Sequence, residues 1–288
     1  MSEKTCLVCG GRYSPSHLPG LLQCQSCGFI TANLKLSHEE LERLYSSAYF
    51  TGEEYNDYVA ERNLIELHFR ERLRVLARHV DAPQSATLLE VGCAYGFFLH
   101  VAQREFKSVS GIDISTDAVT YAREQLQLDA VAGDFAALPL QKPVDVVCMW
   151  DTIEHLADPD IYVRKAAEIL RPGGYLAITT GDIGSLTARL RGGKWRQIHP
   201  PTHLHYFSRG TLTQLLEREG FTVRYVKHDG MYRSAETMAY IMLTIKHRQR
   251  KLFDALKRSG LLNWSLYLNL YDILFVIAQK AGDRRSAA

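Results

Sequence analysis

The sequence predicts an α/β protein built on a doubly wound, mostly parallel sheet, with a small cysteine-containing unit before the sheet and helices after it. Two observations predict the sheet. Short apolar runs alternate with segments of helical periodicity between residues 87 and 228, and the runs carry few polar positions, as strands covered on both faces do. A third observation, two closely spaced pairs of cysteines near the N-terminus, marks the separate unit.

The elements follow in a regular order along the chain. We predict helices in the segment 37–84, which leads into a main domain over residues 85–232, and a helical extension over 233–288. The predicted strands are the runs at 87–91, 108–114, 129–134, 144–151, 175–180 and 221–228. The predicted helices between them lie at 96–106, 115–127, 159–170 and 208–220.

Composition limits the class of protein and its location. The 288 residues are 46% hydrophobic and 23% charged, with a net charge of +2, which is typical of a globular protein. A nucleic-acid enzyme would more often carry a broad basic surface, so nucleic acid is an unfavoured partner. We see no apolar leader at the N-terminus and no uninterrupted transmembrane stretch, and we expect a cytoplasmic protein.

The cysteine pairs predict a zinc ribbon over residues 1–36. Two CxxC turns supply four thiolates, the number that tetrahedral zinc requires, at Cys6, Cys9, Cys24 and Cys27. A redox dithiol is the alternative, but it needs one pair and leaves the other unexplained. Cys93 and Cys148 are expected to be small buried apolar residues.

The stretch "LLEVGCAYG" (88–96) places an acid, Glu90, and a tight turn at the end of the first main-domain strand. Gly92 and Gly96 allow the backbone to pass close to a ligand, and the following helix points amide hydrogens at it. Ala94 occupies the middle position of the turn. A nicotinamide cofactor would use a similar turn, but the full GxGxxG pattern is missing.

Further acids follow successive strands. Asp113 ends the second strand, where a carboxylate accepts hydrogen bonds from a ribose diol. Asp134 ends the third, next to Phe135, which could stack on a purine, and Asp151 ends the fourth. Carboxylates at the mouths of these strands suit a positively charged nucleoside better than a diphosphate.

With these motifs in place, residues 85–230 resemble the class I S-adenosylmethionine-dependent methyltransferases, whose domain is Rossmann-like. The resemblance rests on "LLEVGCAYG", "GIDIS", "GDFAALP", "DVVCMWDTIEHLADP" and "LRPGGYLAITT", in that order. It implies S-adenosylmethionine as the methyl donor. The residues that it implies around the donor are Glu90, Gly92 and Gly96 at the methionine end, Asp113 and Ile114 at the ribose, Asp134 and Phe135 at the adenine, and Asp151 at the border.

Four histidines are the candidates for the base that acts on the methyl acceptor. A hydroxyl acceptor needs a base, and histidine titrates in the right range. His155 follows the fourth strand, and His199, His203 and His205 lie in the loop after the fifth, near Trp195, Tyr206 and Phe207, which could wall a substrate pocket. Each histidine could instead serve a local structural contact. A metal bound by His203 and His205 is a further alternative, for which we find no matching acids nearby.

The expected function is methyl transfer to a small molecule, a glycan or a secondary metabolite, at a hydroxyl group. The ribbon followed by "LSHEELERLYSSAYF" resembles a subgroup of the family that is attached to glycan and secondary-metabolite pathways. An RNA methyltransferase that reads RNA with the ribbon is one alternative. A non-catalytic scaffold is another, which the filled donor positions disfavour. The oligomeric state is not predicted.

The C-terminal region suggests one more partner. Residues 241–288 hold nine basic and three acidic residues, including the run "KHRQRK" at 246–251. The apolar stretch at 261–282 is expected to form a helix, either in contact with an anionic membrane or packed against protein. Its polar residues leave no wide polar face, which favours packing against protein.

Overall fold

A computed structural model describes residues 5–34, 40, 58–139 and 142–282. The first part of the helical segment predicted at 37–84 lies outside these residues up to residue 57, apart from Glu40, so it stays a prediction there. No helix in the described part of the chain has the length and apolar character needed to cross a membrane.

The strands within the described residues fall into two sheets. They are β1 (Tyr13–Pro15), β2 (Leu21–Cys24), β3 (Ile30–Ala32), β4 (Thr87–Val91), β5 (Ser108–Asp113), β6 (Asp129–Ala132), β7 (Val144–Trp150), β8 (Leu170–Gly181), β9 (His205–Tyr206), β10 (Phe221–Ser234) and β11 (Ser265–Lys280).

The α-helices lie between these strands. They are α1 (Arg62–Ala77), α2 (Phe97–Ala102), α3 (Thr116–Leu126), α4 (Pro159–Ile169), α5 (Leu186–Arg191), α6 (Arg209–Arg218), α7 (Ala235–Ala239) and α8 (Arg250–Arg258). A π-helical turn, Tyr240–Lys246, joins α7 to α8. Serine side chains start several helices, and Ser208 forms a full capping box with Thr211 at α6.

The large sheet has the order β10-β11-β8-β7-β4-β5-β6. Strands β4 to β8 are parallel, and β10 and β11 are antiparallel to their neighbours. The predicted doubly wound, mostly parallel sheet is therefore confirmed. The chain runs outward from β4 to β6 and then returns to β7 on the other side of β4, so the order reverses there, and a crevice at such a reversal is where ligands bind.

The helix predicted over 261–282 is wrong, because most of this stretch is the strand β11. Residues 272–278 form a continuous buried run, which a strand covered on both faces produces as readily as a buried helix does. Asp272, a polar interruption in that run, accepts hydrogen bonds from Trp195 Nε1 at 2.9 Å and Arg196 Nη2 at 3.0 Å. Its polarity therefore reflects a buried partner rather than a solvated face.

This correction moves the end of the main domain. The strand predicted at 221–228 is not the last strand of the series, because β11 follows it in the chain and pairs between β10 and β8. The helices α7 and α8 form an insertion between the last two strands rather than a C-terminal extension from residue 233. The domain boundary predicted at 232 is thus wrong in this part.

The cysteine-containing unit is joined to the main domain by shared structure. Strands β1, β2 and β3 form a small antiparallel sheet, and β9 of the main domain extends it by pairing with β3. Phe29 is fully buried and lies 5.0 Å from Phe207 between ring centroids. Burial of these rings fixes the unit against the main domain.

Candidate functional site

A cavity of 910 Å³ opens at the carboxyl ends of β4, β5, β6 and β7. Its volume lies at the upper end of the range of about 300–1,000 Å³ that small-molecule sites occupy. Most of the site residues predicted from the sequence line it, namely Glu90, Gly92, Asp113, Ile114, Asp134, Phe135, Asp151, His155, His199 and His203.

The turn after β4 has the conformation that its glycines suggested. Gly92 has φ +75°, and a Cβ there would lie 2.5 Å from Thr152 Oγ1. Gly96 also has a positive φ, and a Cβ there would lie 3.1 Å from Ala122 Cβ of α3 and 2.6 Å from Leu128 Cδ1 just after it. Gly96 therefore lets α2 begin against α3 behind the turn, a packing role instead of the predicted contact with a ligand.

Asp113 is held in place by the same turn. Its carboxylate accepts hydrogen bonds from Ala94 N at 2.7 Å and Ser115 N at 2.8 Å. Burial raises the pKa of Asp113, and these two hydrogen bonds oppose the rise. The carboxylate is thus fixed at the end of β5 with its remaining acceptor capacity at the cavity.

Glu90 is an unsatisfied acid in the floor of the cavity. It is 2% exposed, and its Oε2 accepts no hydrogen bond from the described residues. Burial, followed by the nearby charge of Asp113, raises the pKa of Glu90 well above its usual value. A buried acceptor without a donor is costly, so this position favours a ligand that brings a donor or a positive charge.

The end of β6 contributes Asp134 and Phe135. Asp134 Oδ1 accepts hydrogen bonds from Ala136 N at 2.8 Å and from the hydroxyl of Tyr162. Phe135 is almost fully buried beside Tyr162, with ring centroids 5.7 Å apart. Little of the Phe135 ring reaches the cavity, so it provides little surface on which a purine could stack. Asp134 can contribute more to ligand binding, through its carboxylate.

Asp151 is engaged by an arginine that sequence reasoning did not find. Arg72 of α1 is 1% exposed, and it donates to Asp151 Oδ2 at 2.8 Å and to Asp229 Oδ2 at 2.9 Å. Burial alone would raise the pKa of Asp151, but the guanidinium of Arg72 outweighs this effect and lowers it. The charge that Asp151 offers to a donor is therefore largely balanced by Arg72.

We expect Arg72→Met to destabilise the protein by about 3 kcal/mol, because it leaves the largely buried carboxylate of Asp229 without its cation. Asp151 is 42% exposed at the cavity, so the loss of its partner should add less. Denaturant unfolding would measure this change. Arg74→Met on the same helix is the matched control, since Arg74 forms only an exposed pair with Glu71 and should cost less than about 1 kcal/mol. Equal losses in the two variants would contradict the role assigned to Arg72.

The histidine loop is tied to the segment after β7 by backbone hydrogen bonds. Leu204 N and His205 N both donate to the carbonyl of Glu154, at 2.9 and 3.1 Å. His155 Nδ1 lies 2.8 Å from the carbonyl of Thr202, so Nδ1 carries the proton. The rings of His155 and His199 lie 4.6 and 3.9 Å from that of His203, between centroids.

Glu154 completes this group and was missed in the sequence. It is 3% exposed, and burial followed by the charge of Asp151 raises its pKa to about 8. Burial lowers the pKa of His155 to about 4 and that of His203 well below its usual range. Glu154, His155 and His203 each place one ligand atom within 4.8 Å of the others. Such a group can share a proton or hold a metal ion.

His205 lies outside the cavity, contrary to the role predicted for it. One ring nitrogen lies 3.1 Å from Thr31 Oγ1 and the other 3.2 Å from the carbonyl of Ala157. Its ring also stacks on Phe29 at 5.7 Å. His205 joins the small sheet to the main domain, and the acid that approaches His203 is Glu154, so the predicted pairing of His203 with His205 in a metal site is wrong.

The aromatic residues near these histidines are also structural. Trp195, Tyr206 and Phe207 are buried in the hydrophobic core, so they do not form the predicted wall of a substrate pocket. The histidine loop presents Arg196, Gln197, His199 and His203 to the cavity instead.

The four N-terminal cysteines gather at one point of the small sheet. Cys6 Sγ lies 3.6 Å from Cys27 Sγ, and Cys9 Sγ lies 3.5 Å from Cys24 Sγ. All four sulfur atoms lie within 4.8 Å of one another, and none is in a disulfide. Tetrahedral zinc with Zn–S bonds of about 2.3 Å places its sulfurs about 3.8 Å apart, so the quartet fits that ion.

Comparison with known proteins decides the family. A family model described as a methyltransferase domain matches residues 58–226, more than half of the chain. The chain belongs to this methyltransferase family. A probable S-adenosylmethionine-dependent methyltransferase of Mycolicibacterium smegmatis is 30% identical over 182 residues, which cover 62% of this chain and 68% of that protein. The protein is thus an S-adenosylmethionine-dependent methyltransferase.

Two further proteins are similar over less of the chain or at lower sequence identity. A ubiquinone biosynthesis O-methyltransferase of Hydrogenovibrio crunogenus is 25% identical over 122 residues, and the match spans 40% of this chain and about half (51%) of that protein. The magnesium protoporphyrin IX methyltransferase of Synechocystis PCC 6803, solved with SAH bound, superposes with a TM-score of 0.56 at 13% identity, covering 85% of this chain and 100% of that one. The second likeness shows the fold alone.

Proposed function

We propose that this methyltransferase acts on a hydroxyl group of a small molecule or glycan. The observation that carries the proposal is the composition of the cavity at the carboxyl ends of β4 to β7. Glu90 and Asp113 line its donor side, and Glu154 lies with His155, His199 and His203 on the other. The similarity to an O-methyltransferase that acts in ubiquinone biosynthesis supports a small-molecule acceptor.

The donor-side residues fit S-adenosylmethionine. Asp113 has acceptor capacity for the ribose diol, because its hydrogen bonds from Ala94 N and Ser115 N leave other lone pairs of the carboxylate. The unsatisfied Oε2 of Glu90 suits the positively charged end of the donor. Asp134 would accept from the adenine amine at the remaining end of the cavity. S-adenosylmethionine supplies an activated methyl group on a sulfonium centre.

On the acceptor side the chain must position the hydroxyl, take its proton and keep water out. The acceptor oxygen gains the methyl carbon and loses its proton, and the electron pair of the broken carbon–sulfur bond stays on sulfur. His155 and His203 are neutral at pH 7, because burial lowers the pKa of both, so each has a lone pair for that proton. Glu154, with a pKa of about 8, is largely protonated at pH 7, and its ionised fraction can stabilise the imidazolium that then develops.

We expect His155→Gln and His203→Gln to lower kcat by about 10²–10⁴-fold where the residue takes the proton, with little change in donor affinity. Between pH 7 and about pH 5.5 the wild-type rate should show no histidine titration, because a histidine with a pKa near 4 remains neutral there, whereas an ordinary histidine would lose its lone pair near pH 6.5. A change in rate around pH 8 would instead report Glu154.

Transfer of tritiated methyl from the donor to a cell extract measures these rates. His79→Gln is the control, since His79 contacts the carbonyl of Val75 at the end of α1, away from the cavity. Full activity in all three cavity variants, His199→Gln included, would rule out a histidine as the base.

We further propose that the cysteine quartet holds one structural zinc ion. The support is the sulfur geometry, together with a hydrogen bond from Ser26 N to Cys24 Sγ at 3.4 Å, the kind of contact that stabilises a thiolate. The quartet lies beside the buried core that carries Phe29, so the ion would secure the small sheet rather than take part in methyl transfer.

A further inference from the structure

Helix α5 carries two of the most exposed large apolar side chains among the described residues. Leu186 is 72% exposed and Leu190 is 78% exposed, and their spacing of four residues puts them on one helix face. The helix is nevertheless held firmly. Ser185 caps it, Ala188 is buried, and Thr187 Oγ1 donates to the carbonyl of Leu270 at 2.7 Å. The leucines therefore face outward from a well-anchored helix.

This apolar pair lies at the same edge of the sheet as the cavity. Helix α5 follows β8 at its carboxyl end, and the loop after α5 brings Arg196 and Gln197 to the cavity. The last residue of β8, Gly181, pairs with Ile273, so the earlier part of β11 extends past that edge. Tyr271, which is exposed, follows the Leu270 carbonyl that α5 contacts. The apolar surface thus continues from α5 onto β11.

The insertion between β10 and β11 projects from the same edge, because β10 and β11 pair there beyond the end of β8. It begins directly after Tyr232 and Arg233, which line the cavity. Its exposed large apolar residues are Ile241, Met242, Leu252, Leu261 and Trp264. Only Phe253 of α8 is buried, against Tyr240.

The charge of this surface is strongly basic. Residues 241–264 contain six lysines and arginines and one acid, Asp254, and residues 186–194 add three bases and no acid. The nine bases are exposed. Exposed apolar side chains interspersed with lysine and arginine are the pattern of a surface that binds anionic lipid. The leucines gain nothing from facing water, and the single sign of charge matches the uniformly negative headgroups of an anionic bilayer.

We propose that α5, the exposed start of β11 and the α7–α8 insertion form a docking surface for an anionic phospholipid bilayer. The surface borders the cavity, so docking would bring the opening toward acceptors carried in or on the membrane. In that respect it deepens the proposed function, since it places the acceptor hydroxyl on a lipid-linked or lipid molecule.

Vesicle co-sedimentation of the full-length protein tests the proposal without donor or acceptor, so its outcome is independent of whether methyl transfer to a hydroxyl is correct. We expect binding to phosphatidylcholine vesicles that contain phosphatidylglycerol, weak binding to phosphatidylcholine alone, and release by salt.

Lys251→Glu with Arg258→Glu should weaken binding by about fivefold or more per base, and Leu186→Ser with Leu190→Ser by at least about tenfold. The matched controls, Arg123→Glu and Val131→Ser, change exposed residues elsewhere and should bind as the wild type does.

Trp264 gives a second, direct readout, because the two other tryptophans, Trp150 and Trp195, are buried. Its emission should shift to shorter wavelength with anionic vesicles, and the shift should vanish in Trp264→Phe. Failure of the wild type to bind anionic vesicles, or equal binding by the surface and control variants, would overturn the proposal. So would a wild-type dimer that the leucine substitutions dissociate, since the surface would then join two copies of the chain.

Discussion

Asp113→Ala is expected to weaken binding of S-adenosylmethionine by about 10²–10⁴-fold. The carboxylate would accept two hydrogen bonds from the ribose diol, and each bond to a charged acceptor contributes about 1.5–3 kcal/mol. The same carboxylate holds Ala94 N and Ser115 N, so the glycine turn should also lose rigidity. Isothermal titration calorimetry with the donor measures the affinity directly.

Asp113→Asn is the milder substitution. It keeps the shape of the side chain but only one acceptor oxygen, so one of the two hydrogen bonds from Ala94 N and Ser115 N should be lost together with part of the affinity. Asp129→Ala, at the exposed start of the adjacent strand β6, is the control and should bind the donor normally. Unchanged affinity in a folded Asp113→Ala protein would mean that the donor does not lie where the cavity geometry suggests.

Loss of the metal from the cysteine quartet is expected to have the second large effect. Purified protein should contain about one zinc ion per chain, and Cys6→Ser or Cys24→Ser should lose it. Structural zinc contributes about 10–16 kcal/mol of apparent binding free energy to small zinc-binding peptides. Removing it should therefore unfold the small sheet and weaken the contact of Phe29 with the main domain. Metal analysis and thermal unfolding together measure both consequences.

Cys148→Ser is the matched control, because Cys148 is a buried thiol of β7 outside the quartet. It should keep its zinc, although the buried hydroxyl will cost some stability. A native protein without metal, in which Cys6 and Cys9 form a disulfide, would contradict the zinc site and favour redox chemistry.

The parts of the fold that follow from local pattern could be predicted from the sequence. The order of the other strands and helices from β4 to β10, the tight turn after Glu90 and the gathering of Asp113, Asp134 and Asp151 at one sheet edge each depend on residues close in sequence. Helix α5 and strand β9 were not predicted. The strand β11 could not be distinguished in this way. A buried run such as residues 272–278 has no amphipathic period, and its neighbours in the sheet decide between strand and helix.

The missed site residues share one physical cause. Arg72 reads as one more charged residue of an exposed helix, and only the fold brings Asp151 and Asp229 to it from 79 and 157 residues away. Glu154 lacked any signal of its own, because its raised pKa comes from burial and from Asp151. His205, by contrast, resembled its neighbours in sequence, yet alternation along β9 turns it toward Thr31 and away from the cavity.

The most direct test of this account is the fate of a labelled methyl group. Extract would be incubated with deuterium-labelled S-adenosylmethionine and the wild-type enzyme, with Asp113→Ala as the inactive control. Mass spectrometry of the lipid, glycan and small-molecule fractions, followed by NMR of the labelled product, would locate the methyl group. We expect it on an oxygen atom, in a product that Asp113→Ala does not form. Label on nitrogen or carbon, label recovered in RNA, or no labelled product at all would contradict the proposed reaction.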